Sequence, residues 1–225
     1  MCIRDRIYGD VAATPTTGVL VRQHSAAGGI QISASHNPPP YNGIKLFGAD
    51  GRVIPGEAGE KVIVAYRENK PNWVSHDQLG TYSELEDTVS EHLKLVLATV
   101  DVERIKSKNF KVVLDSNHGA GSVHGRQLLE ALGCDFQLMG DTPDGQFAHP
   151  PEPTESNLAS VAQQAVDFAA DVVFCQDPDA DRLAIIDADG KYIGEEYTLA
   201  ITMNHALASQ PVSYTHLTLP TIYSV

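Results

Sequence analysis

The sequence predicts an α/β fold: two consecutive α/β sandwich domains with mixed, mostly parallel sheets. Three observations carry that prediction. From Phe110 onward, short β-branched runs alternate with segments of helical period, the arrangement that builds a parallel sheet. An apolar run through Val172–Cys175 and a second through Leu183–Ile186 flank a charged loop, which reads as strand, loop, strand. Between the two halves, Leu85, Val89, Leu93, Val96, Leu97 and Val100 recur at helical spacing. That predicts a long helix over Glu84 to about Lys106, whose charged end, Glu103 to Lys108, marks the boundary region. The domains are accordingly placed at 7–100 and 101–211.

The elements follow in order. Thr14 as N-cap and Pro15 at the first position open a helix to about His24, which Gly28-Gly29 breaks. A short strand over Ile30–Ala34 leads into the dense turn Ser35-His36-Asn37-Pro38-Pro39-Pro40-Tyr41-Asn42-Gly43. A strand at Ile44–Phe47 and a helix from about Gly56 to Arg67 come next, and Pro71 to Tyr82 is irregular. In the second half, a strand at Phe110–Leu114 turns at Asp115–Gly121 into a helix ending near Leu132. A strand at Asp135–Met139, an open Pro-rich loop at Pro143–Pro153 and a helix from Thr154 to Ala169 follow. The strand into Asp177, a hairpin turn at Asp187–Gly190 and a helix from Glu195 to Ala208 complete the alternation.

The 225 residues suffice for a large buried core. A net charge of −13 without a basic stretch argues against nucleic acid or an anionic membrane as partners, while leaving room for a small phosphorylated ligand. No apolar run approaches the ~18 residues of a membrane span, and no signal peptide is evident. Cys2, Cys134 and Cys175 are few, odd in number and without metal-like spacing, so a reducing, cytoplasmic setting is expected. Both ends, 1–6 and 212–225, resemble translated adapter read-through and are set aside as non-native. The natural product then extends past both.

The chemistry concentrates in two stretches. In Asp177-Pro178-Asp179-Ala180-Asp181-Arg182 the proline disfavours a helix. In extended or looped backbone, side chains at alternate positions project to one side, so the three carboxylates converge. Unpaired, they would repel and raise one another's pKa. A hard divalent cation with oxygen ligands, Mg²⁺, removes the conflict. A solvated acidic turn is the plain alternative. An EF-hand loop fails, because Arg182 stands where it needs Gly and Ala188 where it needs Glu. A phosphatase of the strand-then-Asp-x-Asp type, with Asp177 as nucleophile and Asp179 as acid, remains open, as does a metal-binding domain without catalysis.

The other stretch is Gly28–Gly51. Ser35 sits in a turn after a strand, beside His36. Lys45 returns near it if the chain reverses. A hydroxyl with an imidazole and an ammonium suits phosphoryl transfer, although Ser-His-Asn-Pro is also ordinary turn chemistry. A third candidate is weaker. Asp115–Gly121 offers a Gly-x-Gly after a strand, but Gly125 comes one residue late for a dinucleotide fingerprint. It reads as a helix start, with His118 and His124 structural or solvated.

Ser33-Ala34-Ser35-His36-Asn37-Pro38, followed by Tyr41-Asn42-Gly43-Ile44-Lys45, resembles the active-site serine loop of the α-D-phosphohexomutases, a superfamily of phosphoglucomutases, phosphomannomutases and phosphoglucosamine mutases. Asp177–Arg182 resembles its metal loop, in the family's order, and the likeness covers roughly residues 10–211. Pro150–Thr154, Asn157-Leu158 and Gly194–Tyr197 resemble the branch rich in phosphoglucosamine mutases, which makes glucosamine phosphate the first candidate substrate. The resemblance implies Ser35 as phosphoryl carrier and Mg²⁺ held by Asp177, Asp179, Asp181 and an oxygen on phosphorylated Ser35. It implies Lys45 as general acid/base, and His36, Lys45 and Arg182 in contact with phosphate or orienting the serine. The reaction would move phosphate between the 1- and 6-positions of a hexose phosphate through a hexose 1,6-bisphosphate. The family's complete chain has four domains. Part of the first, and the third and fourth with their sugar- and phosphate-recognition loops, have no counterpart here, so this fragment is expected to be inactive or weakly active alone.

Overall fold

A computed structural model describes residues 5–38, 40–71 and 73–209. Of the two ends set aside above, only Asp5 and Arg6 fall within these residues. Arg6 begins a short strand, β1 (Arg6–Tyr8), which pairs in parallel with β4 (Tyr82–Glu84).

The second domain shows why its residues form a sheet. Its four strands are β5 (Lys111–Asp115), β6 (Asp135–Met139), β7 (Val172–Gln176) and β8 (Leu183–Asp187), in the order β6-β5-β7-β8. The first three are parallel, and β8 returns antiparallel on β7. Val112, Val113 and Leu114 run consecutively because both faces of β5 are covered, as central parallel strands require. On one face Val113, Val173, Ile186 and Ala184 pack with Val161 and Ala165 of α6 (Ala159–Phe168). On the other, Val112 and Leu114 meet Leu129 of α5 (Gly121–Ala131). A last helix, α7 (Glu196–Ser209), follows β8.

The first domain is built from α1 (Thr14–Gln23), the antiparallel pair β2 (Gly28–Ile32) and β3 (Ile44–Gly48), and α2 (Gly56–Glu68). The helix α1 lies on the inner face of the pair. A Cβ at Gly29 would come within 2.7 Å of Val21 Cγ2, so a larger residue would push the helix off the strand.

The single long helix predicted over 84–106 is instead β4, α3 (Ser90–Leu97) and α4 (Val102–Lys106). Local side-chain capping overrides the apolar period. Asp87 Oδ1 accepts from the amides of Val89 and Ser90 and starts α3 late. Asp101 caps α4 through Arg104 N at 3.0 Å, restarting the helix after a break. The helix predicted from Thr154 likewise begins only at Ala159, since Thr154–Leu158 forms a turn, with Asn157 N and Leu158 N both donating to Thr154 O. The two domains meet where α3 packs against both α1 and α5. There the rings of His92 and His124 stack with centroids 4.3 Å apart.

Candidate active site

Several segments from both domains converge at the carboxyl end of β7. A parallel sheet leaves its strand ends open there, with loop side chains free to meet. The loop 177–182 between β7 and β8 carries the acidic residues. Ala180 takes a left-handed φ of 52° and its amide donates to Asp177 O at 2.9 Å, which curls the loop inward. The curl brings one oxygen each of Asp177, Asp179 and Asp181 within 4.8 Å of one another. The β5–α5 turn supports the loop from behind, with Ala120 N donating to Pro178 O at 2.7 Å. A Cβ at Gly119 would lie 2.5 Å from that same oxygen, so the glycine is needed for close approach of two backbones. The Gly-x-Gly of this turn thus faces the acidic loop.

The first domain supplies the rest. Ser35 is held at φ 49°, a strained conformation for a residue with a side chain, and its amide donates to Ser33 Oγ at 2.9 Å. That geometry directs Ser35 Oγ to Asp177 Oδ2, 3.0 Å away. Lys45, on β3, reaches across the domain boundary to Asp179 Oδ2 at 2.5 Å and Asp181 Oδ2 at 2.6 Å. Of the seven residues expected to act, Ser35, Lys45, Asp177, Asp179, Asp181 and Arg182 form one connected network. The seventh, His36, sits at its margin, with Nδ1 3.5 Å from Ser35 Oγ.

Asp177 is fully buried. Its Oδ1 accepts from the amides of Asp181 and Arg182, each at 3.1 Å. Its Oδ2 accepts from Ser35 Oγ and from Arg182 Nε at 3.3 Å. Burial, and then the charges of Asp179 and Asp181, raise its pKa. Burial also pushes Asp179 up, but hydrogen bonds from Lys45 and Thr14 prevail and hold it below the usual carboxylate value. Burial would depress Lys45, yet its bonds to Asp179 and Asp181 raise it. Arg182 bridges Asp177 and Glu195, with Nη1 3.5 Å from Glu195 Oε1.

Three contributors escaped the sequence. Thr14 was expected as an N-cap. Ala13 takes that position instead, and Thr14 Oγ1 donates to Asp179 Oδ2 at 2.5 Å. Its amide also bonds Asp179 O at 2.8 Å, so the start of α1 is pinned to the acidic loop. Glu195 and Ser33 orient Arg182 and Ser35, and neither stands out in an unpaired sequence. A Thr-Pro pair carries the same signal whether it caps a helix or reaches another domain.

The donor set suits a hard cation. Asp179 Oδ1 is buried without a hydrogen-bond partner among the described residues. A bare anionic oxygen in that position costs free energy unless a positive charge meets it. Beside the network lies a cleft of about 610 Å³ between the domains, lined by Ser35 and Asn42 of the first and by His118, Gly145, Phe147 and Asp179 of the second.

Comparison with known proteins agrees with this geometry. Residues 3–72 match the family described as phosphoglucomutase/phosphomannomutase, alpha/beta/alpha domain I, and residues 90–190 match its domain II. A phosphoglucomutase/phosphomannomutase of Thermococcus kodakarensis is 35% identical over 207 residues, covering 90% of this chain and 44% of that protein. A phosphoglucosamine/phosphogalactosamine mutase of Sulfurisphaera tokodaii is 35% identical over 185 residues, covering 81% and 41%. The chain therefore spans less than half the length of these relatives. The crystal structure of a phosphoglucomutase/phosphomannomutase family protein from Burkholderia thailandensis shares the fold, with a TM-score of 0.72 at 24% identity over 92% of this chain and 45% of that one. With both domain profiles matched in order, the chain belongs to the phosphoglucomutase/phosphomannomutase family of α-D-phosphohexomutases and carries its domains I and II.

Proposed function

We propose that this chain is the phosphoryl-carrying half of a phosphohexose mutase, which moves phosphate between the 1- and 6-positions of a hexose phosphate through a hexose 1,6-bisphosphate. Glucosamine phosphate is the first candidate substrate, by likeness to relatives of that name. The observation that carries the reading is the 3.0 Å contact between Ser35 Oγ and Asp177 Oδ2, two groups 142 residues apart in sequence. Mg²⁺ fits the oxygen donors of Asp177, Asp179 and Asp181. When bound, it supplies charge neutralisation for the transferring phosphoryl group.

The residues divide the remaining work. Ser35, as its phosphate ester, is the donor. Its Oγ–P bond breaks as the phosphorus bonds the free hydroxyl oxygen of the hexose phosphate; the electron pair stays on Oγ, which takes up a proton to become the serine hydroxyl, while the hexose hydroxyl gives up its own. In the return half, the other phosphate of the bisphosphate passes to Ser35 Oγ. The left-handed turn at Ser35, tied by its amide to Ser33 Oγ, sets Oγ 3.0 Å from Asp177 Oδ2 and pre-orients it for both halves. Lys45 brings an ammonium charge and an exchangeable proton to that place. Arg182, fixed by Glu195, braces Asp177.

The phosphatase alternative needs a nucleophilic oxygen on Asp177, but both its oxygens already accept two hydrogen bonds each and lie buried. Intact-mass and peptide mapping on the product of the complete open reading frame test the choice. An acid-stable phosphate on Ser35, lost in Ser35→Ala together with mutase turnover, is expected. An acid-labile acyl phosphate on Asp177 would overturn the reading. So would a Ser35→Ala protein of unchanged activity, which would favour a metal-binding domain.

A further inference from the structure

The second-domain wall of the cleft comes from three segments: the acidic loop with Pro178 and Asp179, the β5–α5 turn with His118, and the loop between β6 and α6 with Pro143, Gly145 and Phe147. The last of these has no helix or strand of its own over 140–158, so bonds to neighbouring segments hold it. Asn117, buried and left-handed at φ 44°, does part of this. Its Oδ1 accepts from Ala148 N at 2.8 Å and His149 N at 3.3 Å, and its Nδ2 donates to His149 O at 2.9 Å. Gly145 N donates to His118 O at 3.0 Å.

Arg126 Nη2 donates to Asp141 Oδ2 at 2.8 Å, Tyr192 Oη donates to Pro153 O at 2.8 Å, and His118 Nδ1 lies 3.0 Å from Thr142 O. A further tie, and a buried one, is His149. Its Nε2 lies 2.8 Å from Asp115 Oδ2, and its Nδ1 lies 3.0 Å from Pro150 O. Both partners are acceptors. A neutral imidazole has one N–H and would set a lone pair against one of these oxygens, whereas the imidazolium donates to both. Asp115 is 1% exposed at the carboxyl end of β5, and its other oxygen accepts from Asn117 N at 3.0 Å. A carboxylate so placed needs its cation, because removing one partner of a buried pair strands the other.

We propose that His149 is a positioning residue for the mutase reaction: clamped as an imidazolium between Asp115 and the Pro150 carbonyl, it latches the 141–150 loop into the cleft wall that faces Ser35 and so keeps the bound hexose phosphate in register. This rests on the mutase reading above. Burial works against the charge on His149, but the hydrogen bond and charge of Asp115 outweigh it and raise its pKa. Its titratable surroundings are Asp115 on β5 and, behind that carboxylate, Cys175 on β7. The Cys175 thiol is driven far up by burial and Asp115 and stays neutral. His118 of the β5–α5 turn and Asp144 of the loop pair with each other at 3.5 Å. Since the folded value exceeds the unfolded one, the latch is closed at lower pH and opens as pH rises through the folded value.

The test uses the product of the complete open reading frame. Ring-nitrogen NMR is expected to show His149 doubly protonated at neutral pH, and to lose that state on titration with alkali at a higher pH than an ordinary histidine. Amide exchange across 145–149 is expected to quicken about tenfold in His149→Gln. With glucosamine 6-phosphate as substrate, His149→Gln is expected to raise KM about tenfold with kcat within about twofold, and to abolish an alkaline rise in KM seen in the wild type. A neutral His149 at pH 7 in the wild type overturns the latch, whether or not the variant folds. A wild type that neither binds nor converts glucosamine, glucose or mannose 6-phosphate defeats the mutase reading and the positioning role with it. A wild type that does both, with KM unchanged in His149→Gln, defeats the positioning role alone.

Discussion

In the second domain, both faces of β5 and β7 are covered, by α5 on one side and α6 on the other. Val113, Val173 and Ile186 reach 0% exposure. In the first domain, Ile30, Ile32 and Ile44 share the outer face of the β2–β3 pair at 68%, 70% and 68% exposure. The same side-chain type therefore does opposite things in the two halves. The second domain buries its apolar strand residues between helices on both faces. In the first domain, Val21 and Phe47 are buried on the inner face of the β2–β3 pair, and the outer face is uncovered among the described residues of this chain, which spans less than half the length of its relatives. The site straddles both, taking carboxylates from the closed domain and Ser35 and Lys45 from the open-faced one. Its geometry then depends on the ties between the domains: Thr14 and Lys45 on Asp179, and the contacts of α3 with α1 and α5.

The contrast can be broken most sharply by cutting equal side chains in each half. Ile186→Ala, in the sealed core, is expected to cost about 2–5 kcal/mol in urea denaturation, through lost transfer energy and an unfilled cavity. Ile30→Ala, on the exposed face, is expected to change stability by less than about 0.5 kcal/mol. Equal losses would show that the first domain is sealed after all.

The ties come next. Thr14→Val keeps the shape but removes the hydroxyl that donates to a buried carboxylate, and a bond to a charged acceptor is worth about 1.5–3 kcal/mol. The same variant should weaken Mg²⁺ binding measured by calorimetry, because Asp179 loses an orienting partner. Unchanged binding would mean that α1 and the acidic loop are not coupled.

A smaller effect is expected at the histidine stack. Burial, with His92 adding repulsion, depresses His124 to about 4. Burial and then Arg22 lower His92 as well. A depressed histidine is neutral when folded and takes up a proton when unfolded. The contribution is thus present above the ordinary value of about 6.5 and lost as pH falls from there toward 4. Allowing for partial exposure, about 1–2 kcal/mol should disappear between pH 7 and pH 4.5. His124→Gln should flatten that slope in urea titrations across the range. A parallel slope in the variant would place the acid sensitivity elsewhere.

How much of this was readable beforehand differs by region. The second domain was legible because its signal is local: β-branched runs, turn residues and helical periods each reflect burial by near neighbours. The acidic loop was legible too, since alternate carboxylates and a proline advertise one-sided convergence. The helix over 84–106 was misjudged because Asp87 and Asp101 act through single side-chain caps that apolar spacing does not register. Thr14 was misjudged for the opposite reason, as a local motif was put to long-range use.

The sequence by itself determined the alternation of elements, the Ser35 turn and the three carboxylates. Those depend on φ restrictions, side-chain period and charge within a few residues. Only the tertiary structure decided that Ser35 lies on Asp177, that Lys45 crosses to Asp179 and Asp181, and that His149 clamps onto Asp115. Each of those contacts joins groups whose separation along the chain carries no information about distance until the sheet, the helices and the domain contact have been packed.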